Sequence, residues 1–152
     1  MQGSLKQYGG LSIRAFLGFI ILAIALAGCS VTLVSAYDEN IDKSVTQLQK
    51  EIETFFVTID GQNATECIYD KHKDFYKESK VAISAIEVRA KAIPKNEISV
   101  EQVGLLNDSL NSMEELHKLG CLDKDQVSNL RSNFNTSITA ILKLELAKKR
   151  GE

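Results

Sequence analysis

Apolar residues recur at Ile41, Val45, Leu48, Ile52, Phe55 and Ile59, at intervals of 4, 3, 4, 3 and 4. An α-helix turns once every 3.6 residues, so this spacing lines all six side chains along one face and predicts a helix that must pack against others. Asp38 stands where an N-cap is needed, and Asp60-Gly61 supplies the stop. A second helix is expected from about Thr65 to Ile93, ended by Pro94, whose ring disfavours helix in the residue before it. Its stripe is wider: Ile68, Phe75, Ala82, Ile86 and Ile93, flanked by Tyr69, Tyr76 and Ile83, with the charged stretch 71–80 on the solvent side. A third begins at Ser99, where Ser99 to Gln102 reads as a capping box; it carries Val103, Leu106, Leu110, Met113 and Leu116 and stops at Gly120. A fourth starts at the second capping box, Asp123 to Gln126, and carries Val127, Leu130, Phe134, Ile138, Ile141 and Leu144. Lys148, Lys149 and Arg150 close it with cations that suit the negative end of the helix dipole.

Four amphipathic helices on short connections predict an all-α, up-down-up-down four-helix bundle over residues 38–150. One proline, no tryptophan and few glycines favour helices over a turn-rich β architecture. Of the 18 basic residues only Lys6 and Arg14 precede Cys29, whereas all 20 acidic ones follow it. The part after Cys29 therefore sets 16 cations against 20 anions, a net charge of −4. That balance offers no footprint for a polyanion, so no nucleic-acid partner is expected.

Residues 1–14 hold two cations and no acids, an apolar run extends from Ala15 to Ala27, and small residues lead into Cys29. This is the layout of a secretory signal. Leu26-Ala27-Gly28-Cys29 resembles the lipobox of bacterial lipoproteins. The resemblance implies a signal peptide over 1–28, a diacylglycerol on the Cys29 thiol, cleavage before Cys29, and a short membrane-proximal tether over 29–37. In that class Ser30, in place of aspartate, implies sorting to the outer membrane. Two other readings of the segment stay open. Ala15–Ala36 is long enough for an uncleaved membrane helix, and Val34-Ser35-Ala36 resembles an ordinary cleavage site.

With Cys29 lipidated, Cys67 and Cys121 remain as an even pair in an oxidising compartment. Cys67, in the first turn of the second helix, and Cys121, just after the third, fall at one end of an antiparallel bundle. A disulfide is expected, and closing a loop of about 55 residues contributes roughly 4 kcal/mol on the chain-entropy model. The alternative is a metal site of Cys67, His72, His117 and Cys121. Of its spacings only His117 to Cys121 suits a helix, because five residues turn a side chain about 140° away.

The rest of the chain lacks a catalytic constellation. Neither histidine sits in a metalloprotease or haem-attachment motif, and no glycine-rich phosphate loop occurs. Met113 and His117, four apart, have haem-ligand spacing but read as packing. Asp38 to Asp42 mimics a calcium loop that fails where Lys43 and Gln49 stand. Three Asn-x-Ser/Thr patterns, at Asn63, Asn107 and Asn135, read as chance in a bacterial chain. No cofactor is expected and no enzyme. The expected function is a lipid-anchored, non-catalytic binding or adaptor module of the cell envelope, facing the periplasm and engaging an envelope protein. Pilotins of type II secretion systems and exclusion or immunity lipoproteins are similar in architecture. The alternative is a helical-bundle carrier of a small ligand, haem or metal in the periplasm.

Overall fold

Asp38 takes an extended conformation (φ −126°, ψ 108°), and its carboxylate accepts hydrogen bonds from the N–H groups of Asn40 and Ile41. That cap starts α1, Glu39–Asp60, in the computed structural model, which describes residues 35–151. The expected signal peptide, Cys29 and most of the tether lie outside the described residues. α1 buries all six residues of its stripe, together with Phe56.

The second helix starts later than its sequence suggests. Asn63 Oδ1 accepts from both the N–H and the hydroxyl of Thr65, at 3.0 and 2.7 Å, and the Asn63 carbonyl takes the N–H groups of Glu66 and Cys67. These local bonds offer the backbone an alternative to helix. The chain therefore passes through a turn and a short 3₁₀ segment, Tyr69–Lys71, before α2 begins at Lys73–Ala92. Cys67 sits in this connection instead of in a helical turn. The buried face of α2 is Tyr76, Ser79, Ile83, Ile86 and Ala90, so two residues expected at the flanks are core, and Ile68 is exposed. Ser79 and Ala90 complete the 3-and-4 spacing, and neither is apolar and large enough to mark the stripe in the sequence.

α3, Glu97–Leu119, begins two residues before the expected cap. Ser99 is buried inside its first turn, with its hydroxyl turned to α4 instead of to the helix end. Val103, Leu106, Leu110 and Met113 are buried as the spacing requires, and Leu116 is half-buried. α4, Lys124–Gly151, starts on the expected capping box: Gln126 N–H donates to Asp123 Oδ1 at 2.8 Å and Asp123 N–H to Gln126 Oε1 at 2.9 Å. Beyond Ile141 its core face runs through Glu145 and Lys148, leaving Leu144 half-buried.

Each helix packs on its two neighbours in the cycle α1–α2–α3–α4–α1, and across the diagonal the Phe55 ring of α1 meets His117 of α3 with centroids 5.9 Å apart. This is the up-down-up-down four-helix bundle. Ser35, the α2–α3 turn and the end of α4 share one end, called the base below. The α1–α2 and α3–α4 connections form the far end. No described helix is long and apolar enough to cross a membrane. Leu48 is fully excluded from solvent at mid-bundle. Leu48→Ala should cost about 2–5 kcal/mol in urea unfolding, whereas Leu119→Ala, at a residue 86% exposed, should change stability by no more than about 0.5 kcal/mol.

Candidate functional site

At the far end the structure gathers all four cysteine and histidine residues singled out in the sequence. Cys67 and Cys121 are joined as a disulfide, with Cα atoms 5.3 Å apart. His117, on the core stripe of α3, donates from Nε2 to the Cys67 carbonyl at 2.6 Å. A carbonyl only accepts, so Nε2 carries the proton and Nδ1 is left to accept from the Tyr76 hydroxyl at 2.8 Å. Burial pushes the His117 pKa down, against the Cys67 hydrogen bond, and nearby His72 pushes the same way. His72 Nε2 faces two acceptors, Gln62 Oε1 at 2.9 Å and the Glu66 carbonyl at 3.2 Å. The four residues thus meet, but with the sulfurs bonded to each other and both His117 nitrogens engaged they do not form a ligand set. Among the described residues no cluster of His, Cys, Asp or Glu is placed to hold a metal. Haem ligation by His117 would require breaking one of its two bonds, and Met113 is packed in the core.

Aromatic rings fill the space around this hydrogen-bonded line. Phe55 stacks on Phe75 with centroids 4.0 Å apart, and Tyr69, Tyr76 and His117 lie within 6.0 Å of one another. The Tyr69 hydroxyl donates to Glu114 Oε1 at 2.7 Å, and Lys80 pairs with the other oxygen. Burial pushes the Glu114 carboxyl up, but Lys80 and Tyr69 bonded to its ionised form leave it below its ordinary value. The same bond holds Tyr69 above its ordinary value, while burial keeps Tyr76 protonated throughout the physiological range. A nucleophile–base pair needs one group exposed to a reactant. Here both His117 nitrogens, the Tyr69 and Tyr76 hydroxyls and the Glu114 carboxylate are each bonded to another residue of the fold.

The base holds a second polar cluster, missed in the sequence because its members carry no motif. Lys148 Nζ, on a residue 8% exposed, donates to Asn96 Oδ1 at 2.6 Å, Ser99 Oγ at 2.9 Å and Glu145 Oε1 at 2.6 Å. Glu145, fully buried, takes the Asp38 N–H on its other oxygen at 3.2 Å. Asn96 also accepts from the Ser35 hydroxyl at 2.8 Å and donates to the Ala90 carbonyl at the end of α2. Beside it Arg89 grips Asp38 through two bonds of 2.8 Å, which lowers the Asp38 pKa. The one available signal was spacing: from Ile141 the 3-and-4 rule lands on Glu145 and Lys148.

Two outcomes are expected. Lys148→Met strands the Glu145 carboxylate in the core and should cost about 3–5 kcal/mol in urea unfolding, with Lys148→Met/Glu145→Leu recovering most of it. The second concerns acid. His117 is buried neutral, so the folded chain binds a proton less readily than the unfolded one. Stability should therefore fall as pH drops below about 6.5, the ordinary imidazole value. His117→Gln should lose that dependence in the same unfolding assay. Losses from Asp38, Glu53 and Glu114, whose carboxyls are held below their ordinary values, begin only nearer about pH 4. The chain matches no protein-family model, no curated protein and no solved structure.

Proposed function

We propose that this protein is a bacterial lipoprotein: a bundle tethered to the envelope membrane through acylated Cys29, serving as a non-catalytic adaptor for another envelope protein. The observation that carries the reading is Leu26-Ala27-Gly28-Cys29 at the end of the apolar run. Ser30 favours the outer membrane, with the bundle in the periplasm. The Cys67–Cys121 pair supports an oxidising compartment, where such bonds persist. The adaptor role is supported by histidines and buried charges bonded within the fold, and by Leu119, 86% exposed at the far end. A helix end that leaves a leucine in water is suited to a protein contact.

Growth with a clickable palmitate analogue should label the wild-type chain and leave Cys29→Ala unlabelled. Cys29→Ala should also leave the membrane fraction. Equal labelling of the two would overturn the reading. A photo-crosslinker at Leu119 in intact cells should give a discrete protein adduct, and a smear no stronger than at exposed Lys50 would remove the adaptor role while leaving the anchor.

A further inference from the structure

Where the tether meets the bundle decides which surface lies nearest the membrane. Ser35 is not a free linker residue. It is 6% exposed, its N–H donates to the Lys95 carbonyl at 3.2 Å, and its hydroxyl donates to Asn96. Both partners belong to the α2–α3 turn. The chain is therefore fastened to that turn before it enters α1, and the fastening is continuous with the buried Lys148–Glu145 cluster. Between Cys29 and Ser35 lie five residues, 30–34. At full extension they span about 20 Å, less than the length of α3, whose 23 residues rise about 35 Å.

The composition of the turn suits what that short reach would bring it against. Pro94 and Lys95 are exposed, and Ile98 is 55% exposed one turn further on. Lys95 holds φ at 60°, a left-handed conformation that glycine or asparagine adopts at lower cost. Of the acids at the base, Asp38 and Glu87 are paired with Arg89 and Lys91, and Glu97, the first residue of α3, is exposed. Across the base as a whole (residues 35–43, 87–98 and 145–150) seven cations meet six anions, a net +1 in a chain that carries −4 after Cys29. This end is the part of a mildly acidic protein that an anionic lipid surface repels least. A proline and an isoleucine beside lysines also match the mixed polarity of a headgroup layer.

We infer that the α2–α3 turn, through Pro94, Lys95 and Ile98, is the surface that rests on the lipid headgroups, so that the bundle stands on its base with its far end turned to the periplasm. This rests on the lipoprotein reading and adds to it a fixed face. The test uses the acylated full-length protein in vesicles of phosphatidylethanolamine and phosphatidylglycerol. An environment-sensitive fluorophore is carried on Ile98→Cys or, at the far end, on Leu119→Cys. The label at 98 should shift to the blue and be quenched by aqueous iodide several-fold less than in detergent-free buffer after enzymatic release of the bundle from its anchor. The label at 119 should be quenched equally in both states. Lys95→Glu, at an exposed position, should restore quenching at 98 while the helical circular dichroism of the bundle stays that of the parent protein. Acylated protein whose two labels are equally quenched would overturn the standing orientation and leave the anchor untouched. Protein that bears no acyl group and stays off the vesicles would overturn both.

Discussion

The Lys148 ammonium has three protons to donate and three acceptors placed to take them, Asn96, Ser99 and Glu145. Everything at the base is arranged around that closed valence. A buried ion pair contributes little net stability over a well-packed apolar pair, but it penalises heavily any arrangement that leaves one member alone. Its acceptors come from the α2–α3 turn, from α3 and from α4, and Glu145 also receives the first backbone N–H of the α1 cap. The observed order of helices around the cycle satisfies all of these at once. The apolar stripes drive association, and the polar base selects the arrangement.

The far end follows the same logic with neutral groups. His117 lies between the Tyr76 hydroxyl and the Cys67 carbonyl, so α2, α3 and the connection that carries the disulfide are joined by one line of hydrogen bonds. The rings around it bury large areas and prefer stacked or edge-on contacts. Histidine and tyrosine are common catalytic residues, but here each is held by groups whose own valences are filled. The arrangement is a fastening of the fold.

Helix number, order and most core positions were legible because 4, 3, 4, 3 spacing is a geometric requirement and Ile, Leu, Val and Phe announce it. Legibility failed where the same geometry was filled by polar or small residues. On α3 the strict spacing runs Ser99, Val103, Leu106, Leu110, Met113, His117, and on α4 it runs on to Glu145 and Lys148. Reading hydrophobicity alone truncates both stripes at the ends, which is where the polar clusters lie. Leu144 drew the α4 stripe off by one position because its chemistry fitted and its angle did not. The late start of α2 had a different cause. Asn63 can cap its own turn, and a local competition of that kind leaves no mark on periodicity.

The disulfide also changes how the chain would carry tension. Along the backbone, the path from Ser35 to Leu119 runs through α1, α2 and α3. Across the Cys67–Cys121 bridge it runs up α1, through a few loop residues, over the sulfurs and back two positions to Leu119, because the bridge bypasses a separation of 54 residues. A pull on the far end against a fixed base would thus be borne by one helix and a covalent link. α2 and α3 would hang as an unloaded closed loop, keeping their faces intact while the molecule is under strain.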